Sequence, residues 1–144
     1  MQEPEFTIGI EEEYLLVDRA SRDLVREIPP DMMRDCEALL SSHVKPEFLR
    51  SQIEVNTDPH GTIQDAAADL IHMRRTVAGV ASRYGMAPIA ASTHPFASWH
   101  QQRHTDKERY NALERDLQAL GRRLVICGMH VHVGIADPDL RIDL

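Results

Sequence analysis

The chain has 144 residues, 42% of them hydrophobic, enough to bury one core of moderate size, so a single domain over 1–144 is expected. Sixteen Lys and Arg against twenty-three Asp and Glu give a formal charge of -7, which leaves no basic stripe for phosphates and excludes nucleic acid as the expected partner. Met1-Gln2-Glu3-Pro4-Glu5 lacks the basic and apolar regions of a secretory signal, and no run approaches the ~18 apolar residues of a membrane span. Cys36 and Cys127 stand far apart without ligand spacing. The expectation is a soluble, cytoplasmic protein with no membrane partner, disulfide framework or zinc knuckle.

Phe6 to Val17 is rich in Ile, Leu, Val and Tyr, and turn chemistry over Asp18–Asp23 leads to the short return Leu24-Val25, which predicts a hairpin. Within that strand Ile8 and Ile10 share a face with Glu12, while Glu11 and Glu13 share theirs with Leu15 and Val17, so polarity changes sides. Either the strand runs from a covered part of a sheet into an open cleft, or a bulge re-aims one side chain. Pro29-Pro30-Asp31 opens a predicted helix striped by Met33, Cys36, Leu39 and Leu40 that stops before Pro46. A second strand at 52–56 follows. Thr62-Ile63-Gln64-Asp65 has the form of a capping box opening a long helix, with Ala66, Ala67, Leu70, Met73, Val77, Val80 and Ala81 as its apolar stripe and Gly85 as its terminator. Met86 to Ala91 reads as a short buried strand. Ser92 to Lys107 has no regular period, and loops of that length are uncommon unless they serve a purpose. Leu113, Leu117 and Leu120 mark a helix running to about Arg123, before an apolar strand from Leu124 to Val133. The order predicts an α/β or α+β layer arrangement, with helices on one face of a sheet whose other face is free.

Three stretches place polar groups at alternate positions. In a strand Glu11 and Glu13 share one face, Gln52, Glu54 and Asn56 another, and His130 and His132 a third. Should these faces merge in one sheet, the carboxylates would repel unless a cation or a network of donors compensated them. A divalent-metal site is therefore the first hypothesis. Glu11-Glu12-Glu13 also fits a solvated acidic edge, and His130-Val131-His132 also fits two hydrogen-bonded core histidines. Carboxylate partners suit Mg²⁺ or Mn²⁺ better than a structural zinc. No GxxxxGK[ST] or GxGxxG occurs, so any nucleotide must be held by metal and side chains. Thr93-His94-Pro95-Phe96 with Trp99 reads as a substrate lid or as a surface loop anchored by Phe96 and Trp99.

Five strings, Phe6–Asp18, Ser51–Thr57, Ser92–Ala97, Thr105–Tyr110 and Cys127–Gly134, together resemble the bacterial type-2 glutamate-cysteine ligase family, the YbdK-like carboxylate-amine ligases. They agree in order and spacing along nearly the whole chain. The resemblance implies an α+β, glutamine synthetase-like fold, a curved, mainly antiparallel sheet with helices on one face. It also implies ATP-dependent joining of a carboxylate to an amine through an acyl phosphate, with small-molecule substrates such as ATP, an amino-acid carboxylate and cysteine. On this reading Glu11, Glu13 and His130 are ligands of Mg²⁺ or Mn²⁺, Glu54 is a further acid of the catalytic cleft, and Thr93, His94, Arg109 and His132 lie near substrate. Members of the family are considerably longer, so these residues are expected to form the N-terminal portion of a catalytic domain, a partial fold with open strand edges that dimerisation would mask. The rivals are a metal-dependent hydrolase that uses His130 and His132 to activate water, and a catalytically silent metal-binding remnant.

Overall fold

The computed structural model describes residues 5–117 and 125–143. One long strand organises it. β1 (Phe6–Asp18) pairs antiparallel with β3 (Gln52–Asn56) on one side, and β2 (Val44–Pro46) adds to the far edge of β3. On its other side β1 takes two partners end to end: β5 (Met129–Ile135) along Phe6–Glu12 and β4 (Met86–Ile89) along Leu15–Asp18. The sheet is antiparallel throughout, as expected. The β1–β3 register runs without a slip from Glu11 opposite Asn56 to Leu15 opposite Gln52. No bulge re-aims a side chain there; β1 passes from a covered region into an open one.

Two helices cover the first face. α1 (Pro30–Leu40) starts with Pro30 in its first turn, where its missing N–H costs nothing, and ends at Ser41, whose φ of 52° breaks the helical path. In α2 (Ile63–Arg83) the Thr62 side chain accepts the Asp65 N–H at 3.2 Å, and Gly85 just beyond has φ 71°, which a glycine adopts without strain. Ile10, Tyr14, Leu16, Ile53 and Val55 of the sheet pack against Met32, Cys36, Leu40, Leu70, Met73 and Val77. The predicted stripes hold except that Leu39 and Ala67 face solvent and that Met32, not predicted, is fully buried while Met33 is only partly so. The Tyr84 hydroxyl donates to Asp35 at 2.9 Å and joins the two helices.

Glu12 points into this helical side and is buried. Arg74 of α2 grips it with both Nε, at 2.7 Å, and a terminal nitrogen, while the Tyr14 hydroxyl donates to the same carboxylate. Burial and the neighbouring Glu12 charge keep the Tyr14 phenol protonated well above its ordinary range.

The second face is not free along its whole length, which corrects the sequence expectation. Leu15 packs with Leu24, Phe48, Leu49, Tyr110 and Val125 in a second core, supported by Ile89, Ala97 and Trp99. The aperiodic segment after β4 contributes Ala97 and Trp99 to this cover and needs no internal period because it is fastened to the segments beside the strands: Arg50 N–H donates to the Arg103 carbonyl at 2.9 Å, Thr105 N–H to the Phe48 carbonyl at 2.7 Å, and Cys127 N–H to the Ser92 carbonyl at 3.0 Å. The predicted hairpin survives as one bridge between Val17 and Leu24. α3 spans Glu108–Leu117 and α4 Leu140–Asp143. Leu113 and Leu117 fall in α3, while Leu120, the helix end near Arg123 and the strand start at Leu124 lie outside the described residues. Within them β5 begins at Met129, and its Met129, Val131 and Val133 are exposed, while β4, expected to be buried, is half-buried throughout. Among the described residues no helix is long and apolar enough to cross a membrane.

Removing the Arg74 guanidinium strands a buried carboxylate. Arg74→Met is expected to cost about 2 kcal/mol, at the low end for a broken buried pair because Arg74 is itself partly exposed and Tyr14 remains bound to Glu12. Urea denaturation will show this as a lower midpoint at unchanged slope; an unmoved midpoint would mean that the pair contributes nothing to the fold.

Candidate active site

The open end of the second face carries the charged groups. Because opposed residues on neighbouring antiparallel strands share a face, the pairs Glu13–Glu54, Glu11–Asn56 and Glu11–His130 bring all these side chains to one side of the sheet. His132 stands opposite Gly9, which has no side chain to block it, and its Nε2 reaches 3.1 Å from Glu11 Oε2. His130 Nδ1 lies 3.4 Å from the same oxygen. One ligand atom from each of Glu11, His130 and His132 falls within 4.8 Å of the others, close enough to share an ion. Burial pushes the Glu11 carboxyl up, but hydrogen bonds and charge from His132 and His130 outweigh it and hold the group below its ordinary value.

Glu13 sits deeper. It accepts the Gly128 N–H at 3.0 Å, yet burial and the charges of Glu47 and Glu54 leave its carboxyl raised. Glu54 accepts from Asn56 Nδ2 at 3.0 Å. These acids and His130 line a cleft of about 460 Å³; Lys45, opposite Glu54 in register, shares their face of the sheet, and Glu47, Lys107, Arg109 and Tyr110 complete the lining from outside the strands. Lys107 is oriented by the Pro46 carbonyl at 2.9 Å. The Tyr110 hydroxyl donates to Glu47 at 2.8 Å and accepts from Arg109 at 3.1 Å. Burial and the bond to Glu47 push the Tyr110 phenol up to about 12, so it remains a donor at neutral pH.

The structure thus brings together Glu11, Glu13, Glu54, His130 and Arg109 in the cleft, with His132 at its rim. Thr93 and His94 are elsewhere. Thr93 bridges to Ile126, and His94 is buried, its Nδ1 accepting the Ala97 N–H at 3.0 Å and its Nε2 3.1 Å from the Arg22 carbonyl. The imidazole, rather than Phe96, anchors that loop, since Phe96 is 63% exposed. Gln52 shares the face of Glu54 but is sealed beneath it, bonded to the Leu49 N–H and the Ile126 carbonyl. Sequence reasoning missed Lys45, Glu47, Lys107 and Tyr110. Lys45 was legible only through its pairing with Glu54 across the three-residue strand β2, too short to show a period.

Comparison with known proteins gives the family. The family model of Glutamate-cysteine ligase family 2 (GCS2) matches residues 7–144, and the chain belongs to that family. It is 57% identical over 148 residues to a relative from Rhodospirillum rubrum and 53% over 144 residues to one from Ruegeria pomeroyi, both named for glutamate–cysteine ligase 2. All of this chain is covered in both, but only 38% and 37% of the relatives, so the chain spans little more than a third of their length. Among solved structures, the glutamate–cysteine ligase of Francisella tularensis in complex with AMP superposes with a TM-score of 0.75 at 18% identity, covering 99% of this chain and 29% of the other. A bifunctional glutathione synthetase from Pasteurella multocida gives 0.72 at 17%, covering 96% and 18%. At such identities these two show the shared fold.

The raised carboxyl at Glu13 sets the sign of a pH effect. Its ordinary value is 4.5, and since the folded group gives up its proton later than the unfolded one, stability declines as pH climbs from there through the raised value. Glu13→Gln, which can still accept from Gly128, removes the penalty. The variant is expected to gain on the order of 0.5 kcal/mol near pH 7, a small gain because the half-exposed group is screened, and to show a smaller rise in Tm on adding Mn²⁺ than is expected of the parent. Scanning calorimetry with and without Mn²⁺ checks both halves.

Proposed function

We propose that these residues form the N-terminal part of the catalytic domain of an ATP-dependent carboxylate-amine ligase, with an amino-acid carboxylate such as glutamate and an amine such as cysteine as substrates. The observation that carries the reading is that four carboxylates, an imidazole and three basic side chains line one cleft. Glu11, Glu13, Glu54 and His130 offer mostly hard oxygen donors, and the raised Glu13 carboxyl marks charge a cation would relieve. This donor set fits Mg²⁺ or Mn²⁺, which when bound supplies neutralisation of the oxygens on a transferring phosphoryl group. The basic side chains do the complementary work. Lys45, Lys107 and Arg109 attract and orient the anionic groups of nucleotide and substrate, and Tyr110, fixed between Arg109 and Glu47, keeps Arg109 directed into the cleft. Held in line, the substrate carboxylate attacks the γ-phosphate and releases ADP; the amine then displaces phosphate from the acyl phosphate. The side chains position reactants and balance charge, and none of them needs to act as a covalent nucleophile.

The hydrolase alternative built on His130 and His132 has no support from the family or the relatives, all of which carry ligase names. In a protein of the relatives' length, Glu11→Gln is expected to cut ADP release dependent on carboxylate and amine by about 10³-fold or more, the scale of losing one preorganised electrostatic contact, with circular dichroism unchanged. ADP production at the parent rate would refute the assignment of Glu11 to the metal.

A further inference from the structure

A second charged region lies outside the acid cleft. Between the Phe48–Arg50 segment and residues 99–104 is a depression of about 340 Å³ floored by Phe48, Leu49 and Trp99. Its His100 and Arg103 also border an adjoining depression of about 430 Å³ that reaches Arg26 and Glu27. Three guanidinium groups, from Arg26, Arg50 and Arg103, and two imidazoles, from His100 and His104, line the pair, against the single carboxylate of Glu27. In a chain of formal charge -7 this local excess runs against the global balance. Glu27 is engaged by Arg50, at 3.4 Å. Among the described residues neither Arg26 nor Arg103 meets a carboxylate.

The region is also built rather than draped. Arg50 Nε donates to the His104 carbonyl at 3.0 Å and its backbone N–H to Arg103 at 2.9 Å. Ser51 Oγ donates to Gln102 Oε1 at 2.8 Å, and Gln102 N–H to the Trp99 carbonyl at 3.1 Å. Cationic groups gathered over an apolar floor repel one another more strongly than in open water, because the floor lowers the local dielectric. A bound anion relieves that repulsion. A guanidinium presents planar paired donors that match the oxygens of a carboxylate or phosphate, a geometry an ammonium lacks. We propose that this depression is a second anion-binding site, separate from the acid cleft, that takes a phosphate or carboxylate group of a small molecule through Arg103, Arg26 and Arg50.

None of the cleft acids lines it, so the proposal stands whether or not the ligase reading does. The test is titration of the full chain with inorganic phosphate and, separately, with glutarate, at constant ionic strength. Binding is followed by calorimetry and by the fluorescence of Trp99, the single tryptophan, which sits in the depression itself. A saturable response to either ligand is expected, and the tighter of the two identifies the source of the oxyanion. Arg103→Gln should weaken it by about tenfold or more. Because Arg103 holds its loop through the backbone carbonyl, the substitution leaves that contact in place, and circular dichroism verifies the fold. Glu11→Gln should bind as the parent does. Equal affinity in the parent, Arg103→Gln and Arg26→Gln, a Trp99 response that sodium chloride reproduces, or no saturable response to either ligand would overturn the proposal.

Discussion

Everything in this molecule depends on β1 having two faces in unbroken register with its neighbours. Glu12 turns to the helices and is neutralised at once by Arg74, while Glu11 and Glu13 on either side turn the other way, toward Glu54 and His130. A slip of one residue would exchange these roles, driving two carboxylates into a helical core with one guanidinium to receive them. The buried pair therefore fixes the direction of the cleft acids as well as closing the core, and the register is as much a functional constraint as a packing one.

Carboxylates brought together this way are costly. Two unit charges about 4 Å apart repel by about 1 kcal/mol in water and about 4 kcal/mol near a protein surface, against the ~1 kcal/mol that an ordinary hydrogen bond returns. The structure answers with compensation of graded strength: the histidines hold Glu11 below its ordinary range, whereas the one backbone donor to Glu13 does not overcome burial and the charges of Glu47 and Glu54. Glu13 is accordingly where a cation has most to offer. The same logic accounts for the basic lining of the cleft, since Lys45, beside Glu54 on the sheet, and Lys107 and Arg109 reduce its net charge.

The aperiodic stretch after β4 plays two parts that its sequence keeps apart. Through Trp99 and Ala97 it packs against the second core, and through Lys107, Arg109 and Tyr110 its last residues and the start of α3 join the acids in lining the cleft. Phe48 connects the parts: its ring meets His104 on one side, with centroids 6.2 Å apart, and the edge of Tyr110 on the other, at 5.5 Å. Such a segment derives its order from backbone bonds to residues distant in sequence, Phe48, Arg50 and Cys127, rather than from a period of its own.

The sequence by itself determined what neighbours two to four residues apart can decide: the alternation that puts Glu11 with Glu13 and His130 with His132, the Thr62 cap, the Gly85 stop and the helical stripes, and, through five motifs in order, the family. Only the tertiary structure decided which faces merge. Glu11 and His130 are 119 residues apart, and Glu12 and Arg74 are 62 apart; no local period relates such positions, and whether a carboxylate meets an imidazole, a guanidinium or water depends on which strands and helices pack against it. For the same reason Lys45, Glu47, Lys107 and Tyr110, unremarkable in their own short segments, became parts of the cleft, while His94 and Gln52 turned out to hold the structure together.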